Sequence, residues 1–207
     1  MTALLRTARK FLIYQRERFP MVILALSLLP AVVSSGAVSA EYPTIAQGAL
    51  ALVASIAYLL HIRVIDERRD FEHDTQHHEL RPVQRGVISL RELESVDGVA
   101  VAILVGVAWI AGWAACTVVV AMLAYSYLAG REFFLGEALR RRFFLYNGIN
   151  LVQMFLMQIF VYAVFAGSAF LTPLVLGHFV FTAAGTLVFE FVRKLKLPGG
   201  DGTGRDT

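Results

Sequence analysis

Carboxylates recur every fourth residue in one stretch of this chain: Asp66, Asp70 and Asp74, with Glu67 beside the first. On a helix, i, i+4, i+8 spacing brings such side chains onto one face. Like charges so placed destabilise an isolated helix by roughly 0.2–0.5 kcal/mol per pair, so the stripe asks for a compensating cation. Hard oxygen ligands suit Mg²⁺, which takes one or two carboxylates and completes its shell with phosphate oxygens and water. A metal held that way binds a diphosphate. Arginines flank the stripe, Arg63 before it and Arg81 and Arg85 after it, and guanidinium groups meet phosphate through paired N–H donors. Pro82 and Gly86 turn the chain, and Ser89 with Glu92 has the pattern of a capping box opening the next helix. The plainer account of the same charges is a solvated face neutralised by Arg63, Arg68 and Arg69.

The elements that must position these residues are apolar. Of 207 residues, 57% are hydrophobic and 17% charged, with a mean hydropathy of +0.62; a soluble domain runs nearer half and a quarter. Disorder requires the opposite balance, and the lone Cys116 excludes a disulfide scaffold. What fits is an all-α polytopic membrane bundle. Stretches without a charged residue cover 21–38, 42–60, 98–130 and 143–189, and a spanning helix needs about 20 apolar residues. The last stretch, at 47 residues, therefore holds two spans with a break near Gly167, Ser168 and Pro173. As one helix 98–130 would be about 50 Å long, so it also holds two, with a bend near Gly112. The expectation is a single transmembrane domain over 1–207. Its six spans fall at about 21–40, 43–64, 93–111, 113–130, 143–166 and 170–193, with a motif-bearing loop at 61–97.

Charge placement bears on the count. Segments 1–20, 61–97, 131–142 and 190–207 hold 5, 6, 4 and 4 Lys/Arg, which is all 19 in the chain. With six spans they share one side with both termini, the cytoplasmic side by the positive-inside rule; with five, 131–142 falls outside. Residues 1–20 set Leu4, Leu5, Phe11 and Leu12 among Arg6, Arg9, Lys10, Arg16 and Arg18, the pattern of a basic amphipathic helix on the inner leaflet. A cleaved leader is the alternative, since residues 37–40 resemble a cleavage site, but the apolar run is long for one. Net charge +3 and a pI near 9.2 follow from these arginines, and no nucleic-acid partner is expected.

Asp66-Glu67-x-x-Asp70-x-x-x-Asp74 followed by Arg81-Pro82-x-x-x-Gly86-x-x-Ser89, after a second span, resembles the first signature of the UbiA family of intramembrane prenyltransferases. The family pattern is Asn-Asp-x-x-Asp-x-x-x-Asp, so Asp66 stands in the Asn place and Glu67 in the first Asp place; both keep oxygen ligands. The family's second motif, Asp-x-x-x-Asp at the cytoplasmic end of its sixth helix, is met here by Glu190-Phe-Val-Arg193-Lys194. Lys194 replaces the second acid. A lysine cannot hold Mg²⁺ but meets phosphate as a point charge, which points to one metal with a cationic clamp. The plainer account of Glu190, Arg193 and Lys194 is a helix-end charge cluster. The family typically has nine helices, and six spans cover its first two thirds.

The resemblance implies a UbiA-like bundle in the lipid bilayer with its active site facing the cytoplasm. It implies Mg²⁺-dependent transfer of an isoprenyl group from an allylic prenyl diphosphate to an aromatic or other lipophilic acceptor. On it rest metal ligation by Asp66, Asp70, Asp74 and Glu190, catalytic roles for Asp70 and Asp74, and diphosphate binding by Arg63, Arg81 and Lys194. A membrane-embedded terpene cyclase using the same site is the near alternative. A divalent-metal transporter built on His73-x-x-x-His77, His78 and the carboxylates is the distant one, because those ligands lie in a loop and transport wants them near the midplane.

The fifth span carries Asn147, Asn150, Gln153 and Gln158, with Asn147, Asn150, Met154 and Gln158 near one helical face. These amides read either as acceptor or diphosphate contacts, Asn147 and Asn150 foremost, or as interhelical hydrogen bonds, which polar groups at membrane depth seek. His178, alone in the sixth span, reads as a satisfied core histidine. Tyr125, Tyr127 and Trp113 offer π faces to a carbocation or anchor at the interface, the commoner role.

Overall fold

The computed structural model describes residues 3–136 and 142–194, and every regular element among them is helical. A first helix, α1 (Ala3–Arg18), is followed by α2 (Met21–Ser39), α3 (Ile45–Arg69), a short α4 (Phe71–His77) and α5 (Leu90–Ala111). Then come α6 (Trp113–Gly130), α7 (Phe143–Ala166) and α8 (Pro173–Lys194). Six of these, α2, α3 and α5 to α8, are long and apolar enough to cross a membrane.

Local chemistry sets the boundaries. Thr44 with Gln47 forms a capping box at the start of α3, and Ser89 with Glu92 forms one at the start of α5. Gly112 separates α5 from α6 at φ +106°, ψ −178°, a backbone region that only glycine occupies readily, so the two helices reverse with a single residue between them. Pro173 opens α8 after a 3₁₀ turn over Gly167–Ala169. α3 runs five residues past the expected 64. Its polar end stays helical because Arg63 pairs with Glu67 at 2.6 Å and Arg69 with Asp66 at 3.0 Å, at i, i+4 and i, i+3.

α3 is the central strut, packed by α2, α5, α6 and α7. Tyr58, Leu104, Met122 and Phe160 are wholly buried in the core. α6 approaches α3 closely at Gly130, where a Cβ would stand 2.6 Å from Ile65 Cγ2. α7 has half of its span buried, whereas α8 has 6% and lies at the periphery against α2 and α7. Hydrogen bonds tie the spans together where no water competes: Tyr58 Oη to Ser126 Oγ at 3.0 Å, Gln158 Nε2 to Ser35 Oγ at 2.6 Å, and Tyr162 Oη to His178 Nδ1 at 2.6 Å.

The first helix is docked as well as amphipathic. Its Tyr14, with Phe19 just beyond it, is buried among Leu60, Val64, Ile88 and Leu93. Lys10 reaches Glu92 at 2.7 Å, and Glu17 accepts from Arg85 at 2.5 Å. Leu12, Ile13, Arg6, Arg9 and Arg16 occupy the outward face.

Candidate functional site

At the basic end of the bundle a cavity of about 490 Å³ opens among α1, α3, α4, α7 and α8. From α3 come Ile62, Arg63, Asp66, Glu67 and Arg69; then Asp70, Asp74 of α4, and Arg81 of the following loop. Across from them stand Tyr146, Asn147, Asn150, Leu151, Gln153 and Met154 of α7 and Glu190 of α8, with Arg18 closing the side nearest α1.

The acidic stripe does not ride on one continuous helix. The backbone breaks at Asp70 (φ −93°, ψ 5°), between α3 and α4. Ladder bonds persist across the joint, from Asp70 N to Asp66 O at 2.9 Å and from Asp74 N to Asp70 O at 2.8 Å. Asp66, Asp70 and Asp74 consequently still face the same space. The i, i+1 neighbour Glu67, about 100° further round the helix, reaches the same cavity but is buried in its wall. It is 2% exposed, and its Oε1 accepts from Arg63 Nη2 at 2.6 Å, Arg18 Nε at 3.2 Å and Tyr14 Oη at 3.3 Å. Burial and the Glu67 carboxylate push the Tyr14 phenol above its ordinary value, so it stays protonated and donates. Glu67 is the anchor that fixes two arginines at the cavity wall.

The remaining acids alternate with guanidinium groups. Arg69 bonds both oxygens of Asp70, at 3.0 and 3.1 Å, while also pairing with Asp66. Arg81 pairs with Asp74, which is 3% exposed. Chemically, carboxylates paired in this way could exchange a guanidinium for a hard cation, and the guanidinium donors so released could meet a phosphate. The donor set fits Mg²⁺, since Asp66, Asp70, Asp74 and Glu190 offer only oxygen. Glu67 Oε2, buried and without a hydrogen-bond partner among the described residues, adds an acceptor at the wall. Among the described residues, Asp66, Asp70 and Glu190 belong to no group of three ligands converging within 4.8 Å.

The cavity therefore gathers Asp66, Asp70, Asp74, Glu190, Arg63, Arg81, Asn147 and Asn150. The side chain of Lys194 lies outside the described residues. Other sequence candidates stand elsewhere. Arg85 is drawn away by Glu17. The amides divide, Gln153 lining the cavity and Gln158 bonding Ser35 of α2. His178 is satisfied by Tyr162 and by Ser34 at 3.1 Å. Trp113 and Tyr127 are exposed, Tyr127 with Arg131 over its ring, and Tyr125 donates to Ile149 O at 2.8 Å. None of these three aromatics lines the cavity, where Tyr146 stands instead.

Sequence reading missed Arg18 and Tyr14, because the first twenty residues carry the composition of a membrane-surface helix. The only signal was Tyr14 and Arg18 at i, i+4, which puts both on one face. Arg69, read as a neutralising charge, is the residue that binds two carboxylates of the stripe together. No protein-family model, curated protein or solved structure matches this chain.

Proposed function

We propose that the protein is a Mg²⁺-dependent intramembrane prenyltransferase of UbiA type, which moves an isoprenyl group from an allylic diphosphate to an aromatic or other lipophilic acceptor. The observation that carries the reading is convergence. Glu190 comes from α8, and the other carboxylates, the arginines and the amides from α1, α3, α4, α7 and the loop after α4, yet all line one cavity at the basic end of the bundle. A solvated charge cluster would need no cavity and no buried Asp74 or Glu67.

In this proposal Asp66, Asp70 and Asp74, with Glu190 opposite, hold the metal, which supplies Lewis-acid charge to the departing diphosphate. Arg63 and Arg81 bind the phosphate oxygens and stabilise the charge that develops there, while Arg18 and Arg69 complete a cationic wall. The carbon–oxygen bond of the allylic ester breaks and diphosphate departs, the resulting cation lies against Ile62, Leu151 and Met154, and its bond to the acceptor forms as the acceptor loses a proton. Asn147 and Asn150 orient the acceptor or the outer phosphate. The basic end faces the cytoplasm.

The test uses purified full-length protein, Mg²⁺ and a panel of labelled prenyl diphosphates, with and without aromatic acceptors. The expected result is acceptor-dependent prenylated product and released diphosphate. Product from donor alone would reassign the site to a cyclase, and no diphosphate release from any donor would overturn the proposal.

A further inference from the structure

One cluster beside the cavity has different chemistry. On a continuing helix, residues five apart point about 140° away from each other, so His73 and His78 would diverge. They do not, because α4 ends at His77 and His78 takes a non-helical backbone (φ −137°, ψ 51°). The imidazoles of His73 and His78 thereby return toward the carboxylate of Asp74, and one ligand atom from each of the three lies within 4.8 Å of the others. His77 is not in the group: its Nδ1 engages the His73 carbonyl at 3.0 Å, and its ring stacks on His73 at 4.4 Å. His73 is exposed and His78 half-buried, so solvent reaches the cluster, whereas Asp74 is buried and holds Arg81 at the cavity.

We propose that His73, Asp74 and His78 form a binding site for a borderline divalent cation of the zinc class, distinct from the oxygen-lined cavity, and that its occupation withdraws Asp74 from that cavity. Two imidazoles and one carboxylate select zinc-like ions over Mg²⁺, and three protein ligands with water as a fourth make an open tetrahedral site. Ligands at 2.0–2.2 Å from such an ion stand about 3.3 Å apart, so side-chain rotations closing at most about 1.5 Å complete the site. Asp74 is the shared residue. Two dications on one carboxylate repel, so zinc-class binding and Mg²⁺-diphosphate binding oppose each other, and by linkage each weakens the other by the same factor. The regulatory half rests on the prenyltransferase reading; the binding half does not.

The experiment titrates Co²⁺, as the visible spectroscopic probe, into full-length protein in detergent with Mg²⁺ in excess. One equivalent binds with a tetrahedral absorption band, and His73→Gln and His78→Gln each weaken it at least tenfold, while His77→Gln does not. Wild-type affinity in either of the first two variants, or an equal loss in the third, overturns the site. In turnover assays Zn²⁺ inhibits diphosphate release by the wild-type protein. The His73→Gln/His78→Gln double variant keeps basal turnover and needs at least tenfold more Zn²⁺ for inhibition. Inhibition unchanged in the double variant overturns the regulatory half. A protein that binds Co²⁺ as described but releases no diphosphate from any donor retains the metal site and loses the prenyltransferase reading.

Discussion

Replacing Glu67 by alanine separates an anchoring role from a metal-ligand role. One Glu67 oxygen accepts from Arg63, Arg18 and Tyr14, and the side chain is 1% exposed against 26% and 23% for the two arginines. Removing it leaves two guanidinium groups facing one another over an empty space, one of them, Arg63, with its Nε already buried and unpartnered among the described residues. Breaking a buried pair from one side costs about 3–5 kcal/mol. Both arginines reach some water, which places Glu67→Ala near the lower end, about 3 kcal/mol. For a chain of this size that is a fall in Tm of about 6–12 °C, read by thermal unfolding in detergent at fixed lipid content. Glu67→Gln keeps the shape and one acceptor and should lose about half as much. A double-mutant cycle with Arg18→Ala should return a coupling of about 1–3 kcal/mol, since the two side chains touch. If Glu67→Ala unfolded within about 2 °C of the wild type while diphosphate release was lost, Glu67 would be a metal ligand and the anchoring argument would be refuted.

Asp70→Ala and Asp74→Ala should each lower diphosphate release at least a hundredfold while membrane insertion, followed by protease protection, is unchanged; wild-type turnover in both would remove the metal assignment. Tyr14 titrates from neutral to charged with its folded value raised, so its contribution is intact below the unfolded value of about 10 and is lost as pH rises further. Stability of the wild type should therefore fall more steeply above about pH 10 than that of Tyr14→Phe, measured as Tm against pH. Gly112→Ala forces a Cβ into a region reserved for glycine and should cost about 1–3 kcal/mol, seen as a lower Tm with diphosphate release at low temperature retained.

Uncharged stretches and their lengths were enough to place six helices long and apolar enough to span a membrane, because hydrophobic thickness and helical rise act locally along the chain. The turn at Gly112 and the capping box at Ser89 and Glu92 were legible for the same reason, each being decided within four residues. Spacing also singled out Asp66, Asp70 and Asp74, and the joint at Asp70 preserved their common face only because its ladder bonds survive.

Partnership was not legible. Asp66 and Glu67 are adjacent, chemically alike and both at the cavity, yet Asp66 pairs with Arg69 while Glu67 is buried in the wall under Arg63, Arg18 and Tyr14. Arg81 and Arg85 stand in one loop, yet only Arg81 meets the stripe, because α1 brings Glu17 to Arg85. Local sequence determined which segments are helical and which of them are long and apolar enough to cross a membrane. Only the packing of α1 and α7 against α3, with α8 laid on α2 and α7, decided which charges meet and which are buried, because Coulomb energy and desolvation depend on through-space distance between residues far apart in the chain.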